Sequence, residues 1–516
     1  MLKKLLQLQF APFLAALIFA VHPIGVESVA WVSERKGLLS AGFALAATRW
    51  YINYCEGGGR GNLVLCWCAF LMASLAKPNV VALPLVPLLV GSSLFRRSAR
   101  SEAISPSAWC QALPMVRSVA PMLFVPLFVV PITILAENET GSLTAFHSQS
   151  LVLGLANAIV VPWVQFLRTL LPTQLSPFYP TLPWTWVQLL GGVTFASMAF
   201  WLVWVSPRTP QTLRLGLIWY LVASLPVVGI IPVGEHVVAD RYLYLPMMGV
   251  VVPIVAAIER EATDLVKRCL AFTGIVVLAI GLAALTVYQQ RAWRSSEALC
   301  LHSLRLNQDD WKAHNNLGVE YMNVGRNDEA RSHFKEASRL RGALLAPKYN
   351  LGLLLLRARK YGEALVWLKA AEQLAPNNAT LLAFIGHAEL RRGRVAEAIY
   401  YYSESLRREP DHVKSLTDLA IIYSTTPNEQ NRQGALSLQL AARANELTMG
   451  VEFGALLAVA CAHAEVRDFT NAIEFGHAAL RSARAVGRTN TLATIHAILG
   501  SLEQNQAFRA AYIDMN

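Results

Sequence analysis

Ten apolar runs fill most of the first 290 residues, at about 9–21, 37–54, 61–76, 79–94, 119–136, 151–171, 187–205, 214–232, 243–258 and 269–288. Runs of this length and spacing have one stable solution, a bundle of helices in a bilayer, where each backbone satisfies its own polar groups. Several are short for a core ~30 Å thick, which implies tilt or snorkelling ends. Hydrophobic residues make up 54% of the chain and charged residues 15%, with the charges crowded into the second half. A mean hydropathy of +0.39 over 516 residues excludes a soluble multidomain enzyme. The net charge of +11 fits membrane loops and anionic lipid. No basic-aromatic motif points to nucleic acid, so none is expected as a partner. The seven Cys are scattered without metal spacing or a disulfide framework, and no metal ligands are assigned.

Loop charge sets the orientation. Lys3 and Lys4 place the N-terminus inside, and 9–21 is read as a retained span because no small-x-small cleavage site follows it. The loop from Phe95 to Arg117 is basic and falls inside; the acidic loop Glu137 to Gln149 falls outside. The run 151–171 decides parity. Pro162 and Arg168 within it, and the Pro/Trp-rich stretch from Pro172 to Trp186, suit a re-entrant segment. Nine spans plus that segment put the basic stretch Pro207–Arg214 inside and everything after residue 290 outside.

Five polar stretches then share the outer face: His22–Lys36, Lys77-Pro78-Asn79, the sequon-like Asn138-Glu-Thr140, residues 172–186, and Gly234–Tyr244. Ionisable groups kept at a membrane surface suggest a function. Lys77, Arg35, Lys36 and Arg241 form a cationic set suited to a lipid phosphate, with His22, Asp240 and Tyr242 beside them. Glu27 is the first carboxylate on this face. It lies two turns from Glu34 if one helix runs through both, with Trp31 between. The competing reading makes Trp31, Tyr242 and Tyr244 interfacial belt aromatics, the cations snorkelling side chains, and Glu27 and Glu34 a solvated helix face.

The second half repeats every 34 residues. Gly318, Gly352 and Gly386 keep that interval, as do Ala330, Ala364 and Ala398, and Pro376 and Pro410. Leu317 and Tyr321 complete the first unit. This is the tetratricopeptide pattern, in which small residues let paired helices approach and proline opens the next turn. About five units are expected over 291–487, followed by a capping helix and tail over 488–516. Stacked units form a superhelix whose groove holds protein or peptide partners. His314, His333, His387, His412 and His463 lack metal-ligand spacing and read as lone surface histidines. The whole is an all-α chain: a polytopic transmembrane bundle over 1–290, then a tetratricopeptide superhelix.

At His22–Lys36, Ala76-Lys-Pro78, Phe178-Tyr-Pro180, Ala239-Asp-Arg-Tyr-Leu-Tyr-Leu-Pro246 and Gln290–Trp293 the chain resembles bacterial relatives of the transmembrane and tetratricopeptide-repeat-containing (TMTC) proteins. That resemblance implies a GT-C-like glycosyltransferase in a bacterial inner membrane, with the repeats on the periplasmic side. It implies sugar transfer from a polyprenyl-phosphate-linked donor to a protein acceptor held by the repeats; in animal members, mannose to Ser/Thr. It further implies inverting displacement at the anomeric carbon, with a carboxylate as base and fixed cations, or a divalent cation as the one cofactor considered, on the phosphate. The family's base lies in an Asp-rich loop after its first span, and the candidate catalytic carboxylate that the resemblance leaves in this chain is Glu27, as a partner to such a base. Here no Asp precedes Asp240, and Val90-Gly-Ser-Ser-Leu94 replaces a further acidic position. Two expectations follow: a transferase whose true start lies upstream, or an inactive relative serving as a membrane-anchored scaffold for proteins.

Overall fold

The structure, a computed structural model, describes residues 10–88, 107–139, 151–179, 184–230 and 238–510. It divides into two units, Met1–Gln308 and Asp309–Asn516, and all regular structure among the described residues is helical. The inner basic loop before residue 107, Thr140 of the sequon-like triplet, and Gly234 to His236 lie outside the described residues.

In the first unit nine of the ten apolar runs coincide with α-helices; residues 89–94 of the run at 79–94 lie outside the described residues. The helices are α1 (Ala11–Val21), α2 (Gly25–Ala30), α3 (Arg35–Cys55), α4 (Gly59–Ala76), α5 (Ser107–Glu139), α6 (Leu151–Leu170), α7 (Trp186–Phe200), α8 (Gln211–Ser224), α9 (Met248–Glu261), α10 (Leu265–Ala292) and α11 (Ser296–Leu306). Among the described residues, five stretches are long and apolar enough to cross a membrane: Gly59–Ala76, Arg117–Ala136, Val152–Leu170, Trp186–Val205 and Leu265–Ala292. The segment expected to be re-entrant forms one helix, α6, with Pro162 inside it. Tyr220 of α8 donates its hydroxyl to the Pro162 carbonyl, so a neighbouring helix engages the backbone at the proline.

Small residues set the helix contacts, as packing without a hydrophobic gradient requires. Ala41, Ala44 and Ala47 of α3 are buried against Cys66, Ala69 and Ala73 of α4. The Ser40 hydroxyl donates to the Ala73 carbonyl at 2.8 Å. Gly216 of α8 and Gly249 of α9 face each other so closely that a Cβ on Gly216 would come within 2.5 Å of the Gly249 carbonyl oxygen.

The division of the chain falls at Gln308, beyond the expected residue 290, because α10 continues to Ala292 and α11 packs back on the first unit. His302 Nε2 lies 2.9 Å from the Leu175 carbonyl, and the Ser303 and Ser176 hydroxyls are 3.0 Å apart.

The second unit is a stack of helix pairs: α12 (Trp311–Asn323) with α13 (Asn327–Leu340), α14 (Leu345–Arg357) with α15 (Tyr361–Glu372), and α16 (Ala379–Arg391) with α17 (Val395–Arg408). Next come α18 (Val413–Thr425) with α19 (Gly434–Leu447), α20 (Phe453–Glu465) with α21 (Phe469–Ala485), and a last helix α22 (Thr489–Glu503). The repeat explains the pairing. A Cβ on Gly318 would come within 2.7 Å of the Phe334 ring, so only glycine admits that ring between α12 and α13. Leu317, Ala330, Ala364 and Ala398 are fully buried and Tyr321 nearly so, while Pro376 and Pro410 sit exposed between units. The insertion in the fourth unit forms a short turn at Glu429–Asn431. Past α22 the chain returns to the fourth unit, where the Ala510 N–H donates to the Thr425 carbonyl.

Candidate functional site

His22, held extended ahead of Pro23, ends α1, and the six-residue α2 closes at Trp31, whose backbone is extended at φ −83°, ψ 112°. A tight turn over Val32–Glu34 then leads into α3. The break overturns the reading of Glu27 and Glu34 as one continuous helical face. It also overturns the solvated face: Glu27 is 3% exposed and Glu34 6%.

Both carboxylates instead converge on Arg241, in the short turn Asp240–Leu243. The Arg241 backbone N–H donates to Glu27 Oε2 at 2.8 Å, and its guanidinium donates to Glu27 Oε1. The same guanidinium lies 3.5 Å from Glu34 Oε1. Glu34 Oε2 accepts from Lys77 Nζ at 2.6 Å. Trp31 and Tyr242 flank the Arg241 cation, each ring centroid 5.0 Å away. Burial raises the Glu27 pKa against the opposing pull of Arg241, and burial lowers that of Lys77 against the pull of Glu34.

A second pair adjoins the first. The Tyr179 hydroxyl donates to Asp240 Oδ1 at 2.7 Å and accepts from the Ser176 N–H at 2.9 Å. Burial, reinforced by Glu27, pushes the Asp240 carboxyl up to about 7. Arg168, at the end of α6, stacks 3.6 Å from the Tyr179 ring centroid. Its Nη1 is buried without a hydrogen-bond partner among the described residues.

Of the residues expected to meet a lipid phosphate, the structure brings Lys77, Asp240, Arg241 and Tyr242 together. Lys77 and Arg241 already carry carboxylates, and Tyr242 packs on Arg241. Arg35 and Lys36 stand exposed at the start of α3, Lys36 near enough to Lys77 to disfavour its charge. His22 departs from expectation. Its Nδ1 accepts from the Ile24 N–H at 3.3 Å, which leaves Nε2 to donate to the Thr169 carbonyl at 3.1 Å. Burial lowers its pKa to about 4, so it is neutral and has no donor left for a phosphate. Tyr179 and Arg168 were not singled out as site residues. Phe178-Tyr-Pro180 was the only signal for Tyr179, and Arg168 reads in sequence as an ordinary interfacial charge.

Among the described residues, no three His, Cys, Asp or Glu side chains are grouped to hold a metal ion. Glu27, Glu34 and Asp240 are each engaged by a cation or a hydroxyl, so this donor set does not fit one. In the second unit four of the histidines are not solitary: His314 and His333 bring their Nδ1 atoms to 2.8 Å, one of them donating to the other, His412 Nδ1 lies 2.9 Å from the Ser415 hydroxyl, and His463 Nδ1 lies 2.9 Å from Asp468 Oδ2.

Residues 315–379 and 349–413 match the tetratricopeptide repeat family. The chain is 25% identical over 460 residues to the mouse protein O-mannosyl-transferase TMTC3, covering 77% of this chain and 48% of that protein. It is 27% identical over 225 residues to the Drosophila melanogaster protein O-mannosyl-transferase Tmtc3, covering 40% and 24%. Against human TMTC1 it is 34% identical over 121 residues, covering 23% and 14%. The chain spans at most about half the length of the curated relatives it matches. Among solved structures, YrrB, a tetratricopeptide-repeat protein with an unusual peptide-binding site, is similar over 39% of this chain and 98% of its own, at 16% identity and a TM-score of 0.31.

Proposed function

We infer that this chain, related to the TMTC protein O-mannosyl-transferases and built of membrane helices and tetratricopeptide repeats, is a GT-C-like glycosyltransferase. It moves a sugar from a polyprenyl-phosphate-linked donor to protein held by the repeats, in a bacterial inner membrane with the repeats outside. The observation that carries this reading is the buried charge cluster formed by residues 27, 34, 77, 168, 179, 240 and 241. Such a cluster is costly unless a function retains it.

In the reaction, an acceptor hydroxyl oxygen bonds to the anomeric carbon as the carbon–oxygen bond to phosphate breaks. Polyprenyl phosphate leaves with the bonding pair, and the hydroxyl proton passes to a carboxylate. Asp240, with its pKa near 7, suits that proton transfer. Glu27 holds Arg241 in place. Arg168, Arg35 and Lys36 supply charge to the phosphate, Arg168 through its unpartnered nitrogen.

A second reading, a scaffold that binds protein without chemistry, is favoured by one fact: every carboxylate in the cluster is already engaged. The test is full-length protein in liposomes with a polyprenyl-phosphate mannose and a Ser/Thr-rich peptide. Transfer that is lost in Asp240→Asn and Arg168→Ala, while both variants stay folded, supports the transferase. Peptide binding without transfer in the unmodified protein supports the scaffold.

A further inference from the structure

Apart from the charge cluster, the first unit has a cavity of about 310 Å³ between α6, α7, α8 and α9. Its walls are apolar, with Phe195, Met198, Leu202, Leu217 and Ile254 among them. Met198 is 51% exposed and Ile254 44%, so the cavity opens on the flank of the bundle. α7 belongs to a stretch long and apolar enough to cross a membrane, and that flank therefore meets hydrocarbon. The volume is at the lower limit for small-molecule pockets and suits one hydrocarbon chain.

One end of the cavity is polar. Arg260 and Glu261, in the last turn of α9, stand there beside Pro210 and Thr212 at the start of α8. Among the described residues no side chain caps α8, and its first N–H groups have no partner within the helix. The adjoining Thr209 hydroxyl is buried without a partner among the described residues. The mouth thus offers a guanidinium, orphan backbone donors and a carboxylate. An anionic headgroup would satisfy the first two and be repelled by Glu261. A headgroup with both a phosphate and a primary amine satisfies all three.

We propose that this cavity holds an acyl chain of an aminophospholipid, with its phosphate on Arg260 and the α8 N-terminus and its ammonium on Glu261. The site does not depend on the transferase reading. The fourteen residues of α9, about 20 Å of helix, separate its mouth from the turn that carries Asp240.

The test uses the full chain in nanodiscs of equal parts phosphatidylethanolamine, phosphatidylglycerol and phosphatidylcholine, with retained lipid read by native mass spectrometry. Phosphatidylethanolamine is expected in about tenfold preference, the discrimination of one charge-assisted hydrogen bond. Arg260→Ala is expected to lower its retention by a similar factor, and Glu261→Gln to shift the preference to phosphatidylglycerol. Ala257→Trp, which fills the cavity from its wall, is expected to abolish retention at an unchanged melting temperature. Equal retention of the three lipids, or phosphatidylethanolamine retention that survives Ala257→Trp, overturns the proposal.

Discussion

Glu27 and Arg241, 214 residues apart in the chain, are joined twice, once through the Arg241 backbone N–H and once through its guanidinium. Arg241 is also the only group described here that touches both Glu27 and Glu34. Removing it leaves Glu27 buried without its counter-charge and Glu34 with Lys77 alone. Arg241→Ala is expected to cost about 3–5 kcal/mol, the usual loss when one partner of a buried pair is deleted. Arg241→Lys should recover only part of this, since an ammonium cannot serve both carboxylates with one planar fork. Thermal unfolding in detergent measures both, and an unchanged midpoint for Arg241→Ala would show that the pair contributes nothing.

Gly37 lies in the first turn of α3, under the Glu34–Lys77 pair. A Cβ there would come within 2.8 Å of Glu34 Oε2 and 3.5 Å of Lys77 Nζ. Gly37→Ala should displace the pair and destabilise the protein by about 1–3 kcal/mol, as overpacking does. The effect should shrink in a Glu34→Ala background, where the space is open. Simple additivity of the two changes in melting experiments would contradict the contact.

Asp240 and His22 predict opposing dependences on pH. Burial raises Asp240 from its ordinary 3.8 to about 7, so between those values the unfolded chain has lost a proton that the folded protein keeps. Stability from this group is full below about 4 and is lost as pH rises to about 7. Burial lowers His22 from 6.5 to about 4, so there the unfolded chain holds the extra proton, and stability rises with pH over that window. The two slopes oppose each other from pH 4 to 6.5. Asp240→Asn keeps an acceptor for Tyr179 but removes its slope. Its stability should therefore climb with pH more steeply than that of the unmodified protein, as followed by melting temperature across the range.

In the repeats, the buried Tyr402 hydroxyl of α17 donates to Asp418 Oδ2 of α18 at 2.8 Å. The bond crosses from one unit to the next, where a stacked array gains its cohesion. Tyr402→Phe should cost about 1–3 kcal/mol, because Asp418 loses a buried donor and keeps the Lys414 ammonium, 3.1 Å away. Hydrogen exchange on the whole chain should show the faster opening in α18 and its neighbours.

Much of this was legible in the sequence because periodicity and hydropathy are local properties. Gly318 and Ala330 mark helix contacts at fixed spacing, and the apolar runs mark most of the first unit's described helices. The site was legible as a set of residues and not as a network. Glu27 and Arg241 could be picked out separately, yet nothing in either stretch says that one neutralises the other. The turn at Trp31 was missed because Glu27, Trp31 and Glu34 fit a helical period equally well. Arg168 and Tyr179 were missed because their roles arise from burial and from each other. His22 looked like a ligand because its bonds to Thr169 and Ile24 are made by backbone groups, which leave no trace in side-chain pattern.

The sequence distance between Glu27 and Arg241 also orders events during synthesis. At ~5–20 residues per second, the 214 residues between them take on the order of 10–40 s to make. Lys77 emerges early and can neutralise Glu34 while the first helices settle. Glu27 must wait for its counter-charge until the helices between have been delivered to the bilayer. Throughout that interval α2 has reason to stay at the water boundary, and its withdrawal into the protein becomes one of the last steps of assembly.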